Sequence, residues 1–265
     1  MANDARSWIH ALRASHDALV SLVSGFSSED LDKESYCKGW DVSQLLSHIG
    51  SGAEIALTNL ERALAQEEPL GRDDFPVIWS RWNALNPREK ASQCVVWDRR
   101  YVSVLEGLDD ATLKDLRVKF LTMNFDVAGA VGLRLAEHAL HSWDVAVTFD
   151  PQAEVLGSSA ALVLERLPFT VERACKPGDL RGRVEVKTVR PDKHFVLTVG
   201  ETAKLEEVGD GAPPPTGPYD GTVQLPSAAL ARLVSGRLDP EHTPTGVKAA
   251  GKIGLDELRS VFPGF

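Results

Sequence analysis

The stretch GWDVSQLLSHI at residues 39–49 combines a helix start with an apolar helical repeat. Asp41 stands at the position of an N-cap and Gln44 follows three residues later, which is a capping-box pattern. Apolar residues continue at helical spacing to about Ala65. The pattern therefore predicts a long amphipathic helix from Asp41 to about Ala65, with His48 on its inward face.

Three more stretches show the same helical period. They occupy Ser7–Val23, Pro87–Glu106 and a segment that begins after Asn124 or Asp126 and continues to about Val147. A glycine follows each of the first two where a helix should stop, and Pro87 suits the first position of a helix. Residues 1–150 are therefore predicted to form an antiparallel four-helix bundle, in which the apolar faces pack together.

The sequence changes character after Pro151. A bridging segment at residues 151–177 contains a short helical stretch, and beyond it the apolar residues alternate as they do in strands. The predicted elements are a helix at Ser158–Ala174, strands near residues 183–187, 195–199 and 222–225, and helices at Ser227–Ser235 and Leu255–Val261. The Pro-rich run at 212–218 cannot join a β-ladder and is predicted to be a surface loop. Residues 178–265 are thus predicted to form a small α+β domain.

The bulk composition indicates a globular protein that acts on small molecules. The chain has 265 residues, 43% of them hydrophobic, and a formal net charge of -9. This length favours two domains, and the negative charge disfavours nucleic acid or an anionic membrane surface as the main partner. No apolar run reaches membrane-spanning length and the first residues do not form a signal peptide, so a cytoplasmic location is expected.

The three cysteines, Cys37, Cys94 and Cys175, are far apart in the sequence and form no Cys-x-x-Cys pair. They are expected to be reduced thiols. Cys37 precedes a predicted helix start, where the helix dipole favours a reactive thiolate. The alternative is that Cys37 is a small buried apolar residue, which is the common role of free cysteine.

A candidate metal site lies on the second and fourth predicted helices. Glu137 and His141 are four residues apart, which places them about 40° apart around the helix axis and one turn apart along it. Together with His48 they offer two nitrogens and one carboxylate oxygen, a ligand set that leaves a fourth position open, as catalytic zinc requires. Spacing alone leaves an alternative, in which His48 is a core histidine and Glu137 and His141 form an exposed pair.

Two neighbours of these residues bear on the same site. His138 is a reserve ligand, although its direction on the helix favours a surface place or a supporting contact. Asp144 is placed to accept a hydrogen bond from a ligand imidazole, or else to bond to backbone or water.

These segments resemble the mycothiol-dependent maleylpyruvate isomerase family. The family's Trp-x-Val-x-x-Leu-x-x-His pattern is present at residues 40–48, and its Glu-x-x-x-His-x-Trp-Asp pattern is present at residues 137–144. The resemblance covers nearly the whole chain, with a looser match at Gly236-Arg237. It implies a DinB-like N-terminal bundle and a sterol-carrier-like C-terminal domain, and it fills the family's three metal-ligand positions with His48, Glu137 and His141.

The resemblance also implies an activity. Zinc, or another divalent metal, would hold mycothiol, a thiol co-substrate, as a thiolate that attacks a small-molecule electrophile, as in the cis–trans isomerisation of maleylpyruvate. The alternatives are a mycothiol S-transferase, a tailoring enzyme of secondary metabolism and, in another class, a non-catalytic metal-binding or ligand-binding module.

An arginine should hold the acidic group of such a substrate. Arg237 is the first candidate by family pattern, and Arg134, about one turn before the ligands on the fourth helix, is the second. Each has the alternative of being a plain surface cation. Trp79 and Trp82 are candidates to line the substrate pocket, with the alternative that both belong to the core.

Overall fold

The computed structural model describes residues 4–209 and 217–264, and it mixes helices with two β-sheets. The chain divides into two compact units, Met1–Val155 and Leu156–Phe265. The division falls a few residues after the boundary predicted at residue 150. Residues 212–216 of the predicted Pro-rich loop lie outside the described residues.

Four long helices build most of the first unit, and they correspond to the four predicted ones. The helices of this unit are α1 (Ala5–Val23), α2 (Ser28–Leu31), α3 (Val42–Leu64), α4 (Asp74–Asn83), α5 (Pro87–Glu106), α6 (Asp110–Asp115) and α7 (Val127–Val147). Helix α3 packs against α5 and α7, and α1 packs against the same two helices. Each long helix therefore has two long neighbours.

Side-chain caps define where the long helices begin. Asp4, Asp41, Asn86 and Asp126 each accept a hydrogen bond from a backbone N–H in the first turn of the helix that follows. Such an acceptor satisfies one of the N–H groups that a helix start leaves without a partner. Asp126, rather than Asn124, is the cap of α7.

The short elements of the first unit were not predicted from the sequence. Strands β1 (Arg117–Phe120) and β2 (Met123–Asp126) form an antiparallel hairpin that packs against α3 and α7. Helix α4 packs against α3 and begins within the stretch between the second and third predicted helices. The hairpin matters for function because it covers one side of the cavity described below.

Trp82 anchors the core of the first unit against a glycine of α3. Its ring is buried, and a Cβ on Gly50 would overlap that ring, so α3 needs a residue without a side chain at this contact. The indole Nε1 of Trp82 donates to Oε2 of the buried Glu54 at 2.6 Å. Trp82 is therefore a core residue, which was the alternative to a place in the wall of the substrate pocket.

The second unit combines helices with a five-stranded sheet. Its elements are α8 (Gly157–Ala174), β3 (Gly182–Val189), β4 (Lys193–Val199), β5 (Ala203–Glu207), β6 (Gly221–Pro226), α9 (Ser227–Val234), β7 (Lys248–Gly251) and α10 (Leu255–Val261). The strand order is β5-β4-β3-β6-β7, in which β3 and β6 are parallel and the other neighbours antiparallel. Helix α8 packs against α9 and β5, so the stretch predicted as a bridge supplies a helix to this unit.

Within the part of the chain that the structure describes, no helix is both long and apolar enough to span a bilayer.

Candidate metal centre and its cavity

Two histidines and a glutamate meet where α3 faces α7. His48 Nε2 and His141 Nε2 each lie 3.7 Å from the same oxygen, Glu137 Oε2. The two imidazole rings are 4.6 Å apart between centroids and nearly perpendicular, at 75°. One ligand atom from each of the three residues lies within 4.8 Å of the other two. The structure thus brings together the three residues named from the sequence.

The spacing of these atoms fits a small divalent ion. Tetrahedral ligands at about 2.0–2.1 Å from zinc stand about 3.4 Å apart. The two distances of 3.7 Å require the side chains to close by only a few tenths of an ångström. Two imidazole nitrogens and a carboxylate are also a donor set that zinc and its neighbours accept.

The cluster opens towards solvent on one side. The side chain of His48 is 36% exposed and that of Glu137 is 55% exposed. His48 was predicted to point inward, but its ring lines a cavity instead of being enclosed by the core. An accessible cluster leaves room for a further ligand, as catalytic metal sites require and closed structural sites do not.

A buried carboxylate fixes the orientation of His141. Asp144, which has no solvent exposure, places Oδ2 at 2.8 Å from His141 Nδ1. With the Nδ1 proton shared with this carboxylate, the lone pair of Nε2 points towards Glu137 and is available to a metal. Asp144 therefore takes the imidazole-supporting role, which was one of its two alternatives.

Cys37 contacts the same oxygen of this carboxylate as His141 does. Its Sγ lies 3.2 Å from Asp144 Oδ2 and 3.9 Å from His141 Nδ1. Cys37, His141 and Asp144 are thus a second group of ligand-type atoms, built around the opposite nitrogen of His141. The thiol is half-buried and packs beside the core, so it is neither fully exposed nor simply an apolar filler.

A buried charge cluster joins α1, α5 and α7. Asp98 is fully buried on α5, and its Oδ2 lies 2.8 Å from His16 Nδ1 and 2.9 Å from His138 Nε2. Its other oxygen accepts a hydrogen bond from Arg134 Nη2 at 3.0 Å, and the same Nη2 donates to the carbonyl of Ile49. His138 is therefore a core residue that contacts Asp98, whereas its position on the helix suggested a surface place or a supporting contact, and as the reserve ligand it lies outside the described groups of metal-ligand atoms.

The neighbours of Asp98 decide its ionisation. Burial alone would raise the pKa of this carboxyl group, but the interactions with His138, His16 and Arg134 together lower its pKa well below the usual range. Nearby, burial raises the pKa of the Cys94 thiol and of the Tyr101 phenol. Asp98 is thus an anion that balances the charge of the buried Arg134.

Neither Asp98 nor His16 was predicted from the sequence to belong to the site. A signal for Asp98 is present, because it lies on the apolar face of α5 with Cys94, Tyr101 and Val102, all of them buried. A charged residue at such a position requires a partner. The partners come from α1 and α7, and their identity is visible only in the folded chain.

A cavity of 340 Å³ adjoins the candidate metal ligands His48 and Glu137. His48, Glu137 and Arg134 contribute to its wall from α3 and α7, and most of the remaining wall is apolar. The apolar part includes Ile55, Ala56, Val118, Phe120, Phe125 and Leu133. A cavity with a few polar groups at one side and apolar walls elsewhere is typical of a small-molecule site.

The two candidate arginines lie in different units. Arg134 is buried, lines the cavity and is held by Asp98, so it is not a plain surface cation. Arg237 follows α9 in the second unit, where its Nη1 donates to the carbonyl of Ser235 at 3.0 Å. Of the two tryptophans, Trp79 lines the cavity while Trp82 belongs to the core.

Comparisons with known proteins place this site in a family context. Residues 12–146, about half of the chain, match the family described as "Mycothiol maleylpyruvate isomerase N-terminal domain". A curated relative from Geobacillus thermodenitrificans, described as "Putative metal-dependent hydrolase", is 25% identical over 122 residues, which are 46% of this chain. The matched region spans 60% of the length of that relative.

Two solved structures share the fold. A crystal structure of the mycothiol-dependent maleylpyruvate isomerase has a TM-score of 0.66, is 14% identical, and is matched over 94% of this chain and 93% of its own. A histidine-to-alanine mutant of that enzyme has a TM-score of 0.65, with the same identity and coverage. At this identity the likeness concerns the fold of the chain.

Proposed function

This chain belongs to the mycothiol maleylpyruvate isomerase family, and on that premise we propose that it is a metal-dependent enzyme that activates a low-molecular-weight thiol for attack on an electrophilic small molecule. The thiol of the proposal is mycothiol, the metal is zinc, and the reaction is a cis–trans isomerisation like that of maleylpyruvate. The ligands are His48, Glu137 and His141.

The arrangement around Glu137 Oε2 is the observation that carries this proposal. Two imidazole nitrogens converge on one carboxylate oxygen at 3.7 Å, and one of these imidazoles is oriented by a buried aspartate. Metal-binding histidines almost always donate their other ring N–H to a carboxylate, a backbone carbonyl or water, and Asp144 is such an acceptor for His141.

The metal would supply one piece of chemistry: it would bind the thiol sulfur and favour its thiolate form at neutral pH. The thiolate sulfur then forms a bond to one carbon of the activated double bond, and the π electron pair moves onto the adjacent carbonyl group. Rotation about the resulting single bond and cleavage of the C–S bond return the electron pair, restore the double bond in the trans form and release the thiolate. The thiol is not consumed.

The protein side chains have distinct tasks in this scheme. Asp144 fixes the tautomer of His141, and Arg134 is placed on the cavity wall to donate hydrogen bonds to an acidic or carbonyl oxygen of the substrate. Arg237 is the alternative anion-binding residue. The proposal also assigns the first unit to the DinB-like four-helix bundles and the second to the sterol-carrier-like domains.

Metal content tests the proposal directly. Elemental mass spectrometry of the purified protein should give near-stoichiometric zinc, and the His48→Ala variant should lose it. The control is His10→Ala, which removes an exposed histidine of α1 and should leave the metal content unchanged. If the protein prepared without chelators holds no metal and takes up none on reconstitution, or if His48→Ala keeps its metal, the proposal is wrong.

The products separate the alternatives that share this site. Incubation of the metal-loaded protein with mycothiol and a panel of cis-unsaturated acids that includes maleylpyruvate should yield the trans isomer of at least one of them with the thiol recovered, if the enzyme is an isomerase. A covalent thiol adduct would indicate an S-transferase or a tailoring enzyme. Metal binding without any thiol turnover over a panel of electrophiles would favour the non-catalytic module.

A further inference from the structure

The lining of the cavity beside the proposed metal ligands indicates the chemical class of the electrophile. We propose that the substrate is an unsaturated acid with a single acidic group and an apolar body, rather than a small dicarboxylate. The reaction assigned to this substrate rests on the proposed function, whereas the binding preference rests on the cavity alone.

The wall of the cavity is apolar over most of its extent. Ile55 and Ala56 come from α3, Val118 and Phe120 from β1, Phe125 from β2 and Leu133 from α7. None of these side chains has a hydrogen-bonding group. A second carboxylate placed against them would lose its hydration without compensation, whereas an alkyl chain or a ring would gain from the same contact.

Two cationic side chains contribute to the described cavity wall, and only one of them is buried. Lys119 lies at the rim, where 54% of its side chain is exposed and its Nζ lies 3.5 Å from Glu68 Oε2. The side chain of Arg134, by contrast, is only 7% exposed. Arg134 is therefore the one buried cation in the described part of the cavity wall, to which Ser51, Asn59 and Tyr101 add only neutral polar groups.

The bonding of Arg134 limits how much negative charge it can accept. Its Nη2 already donates to Asp98, which carries a full negative charge, and to the carbonyl of Ile49. Its Nε has no hydrogen-bond partner among the residues that the structure describes, although it is buried. Arg134 thus keeps donor capacity for one oxygen-bearing group, while the neighbouring Asp98 disfavours a second acidic group.

Gly52 lies close to Arg134, and its lack of a side chain keeps the guanidinium N–H donors accessible from the cavity. A Cβ at position 52 would lie 2.9 Å from Arg134 Nη1. The absence of a side chain at Gly52 leaves the guanidinium group in contact with the cavity that both residues line. An acidic group held there would leave the rest of the ligand on the apolar wall and within the cavity that His48 and Glu137 also border.

The size of the cavity suits this class of ligand. Its 340 Å³ lies at the lower end of the range of roughly 300–1,000 Å³ for small-molecule pockets. Such a volume accommodates a single ring or a short alkyl chain together with one polar head. A ligand of this kind fills the apolar part, which a four-carbon dicarboxylate does not.

Calorimetric titration of unreactive saturated acids tests the preference. The probes are butanoate, hexanoate, octanoate and 3-phenylpropanoate, with butanedioate and hexanedioate as dicarboxylates of matched length. For the metal-loaded protein we expect affinity to rise up to about fourfold for each buried methylene until the cavity is filled. Each dicarboxylate should bind at least about tenfold more weakly than its monocarboxylate counterpart. A flat dependence on chain length, or tighter binding of the dicarboxylates, would overturn the proposal.

The same titrations with His48→Ala separate this inference from the proposed function. The gain per methylene should persist in that variant, because the apolar wall does not include the metal. If the protein binds no metal but keeps the chain-length dependence, the proposed reaction fails and the ligand class stands. If metal and thiol turnover are found but affinity does not depend on chain length, the proposed ligand class is wrong while the proposed function stands.

A cavity-filling variant locates the binding site. Ala56→Leu adds volume to the wall and should weaken binding of octanoate and 3-phenylpropanoate at least about tenfold. Ala65→Leu makes the same change at an exposed position just after α3 and should leave both affinities unchanged. Equal affinities in Ala56→Leu and the unmodified protein would place the apolar binding elsewhere, and the titrations on the unmodified protein decide the ligand class even if Ala56→Leu does not fold.

Discussion

His141 Nδ1 and Asp144 Oδ2 lie 2.8 Å apart, one turn from each other on α7, and the carboxylate is fully buried. The contact presents the opposite nitrogen of His141 to Glu137 and His48. A histidine held in this way is prepared for metal binding before the ion arrives, because its tautomer and ring orientation are already set.

Replacing this supporting carboxylate should weaken metal binding without removing a ligand. We expect Asp144→Asn to lower zinc affinity about 10- to 100-fold, the usual effect of losing such a partner. Competition with a chromogenic chelator measures the affinity, and Asp150→Asn, an exposed change just after the same helix, is the control. An affinity within twofold of the unmodified protein would show that Asp144 does not support a metal ligand.

The buried cluster around Asp98 should dominate the stability of the first unit. We expect Asp98→Asn to reduce the free energy of unfolding by about 3–5 kcal/mol, because it leaves the buried Arg134 without its counter-charge. Urea denaturation measures the loss. Asp110→Asn removes an exposed partner of Arg6 and should cost at most about 1 kcal/mol. Similar losses in the two variants would contradict the assigned role of Asp98.

Lowering the pH should remove the contribution of Asp98 to the free energy of unfolding. Its pKa in the folded protein is well below the unfolded value of about 3.9, so the unfolded chain binds more protons between these two values. The stabilisation is therefore present above about pH 3.9 and is lost as the pH falls from there towards the folded pKa. We expect the difference in unfolding free energy between the unmodified protein and Asp98→Asn to narrow on acidification from pH 7 to pH 3, and a constant difference would argue against an ionised Asp98.

Gly50 should tolerate no side chain. A Cβ at this position would overlap the Trp82 ring and lie 2.9 Å from the Cα of Cys94. We expect Gly50→Ala to lower the free energy of unfolding by about 1–3 kcal/mol through overpacking. Gly25→Ala meets nothing within 4 Å and should change stability by no more than about 0.5 kcal/mol. A stabilising Gly50→Ala would mean that α3 and Trp82 are not in close contact in solution.

The anion-binding arginine can be identified by kinetics. We expect Arg134→Lys to raise KM for the electrophile at least about tenfold, because lysine lacks the planar set of donors, while the metal content stays unchanged. Arg237→Lys is measured beside it. A larger increase in KM for Arg237→Lys would assign the role to Arg237, the residue that the family pattern favoured.

The sequence predicted the long elements well because these depend on local patterns. Pro87–Glu106 was predicted with the bounds that α5 has in the structure, and the N-cap at Asp41 was confirmed. The spacing of Glu137 and His141 already placed two ligand-type residues on one helix face. Short elements such as the β1–β2 hairpin were missed because four-residue strands contain too few apolar positions to define a period.

Local sequence patterns are enough to indicate where the helices begin, which of their faces are apolar and which residue types are available for a metal. The packing of the folded chain is needed to bring His16, Arg134 and His138 around Asp98, and to place the hairpin and α7 around an apolar cavity beside His48. Caps and helical periods arise between residues a few positions apart, so they can be read along the chain. The charge cluster joins residues up to 122 positions apart, and such contacts arise only when α1, α5 and α7 pack together.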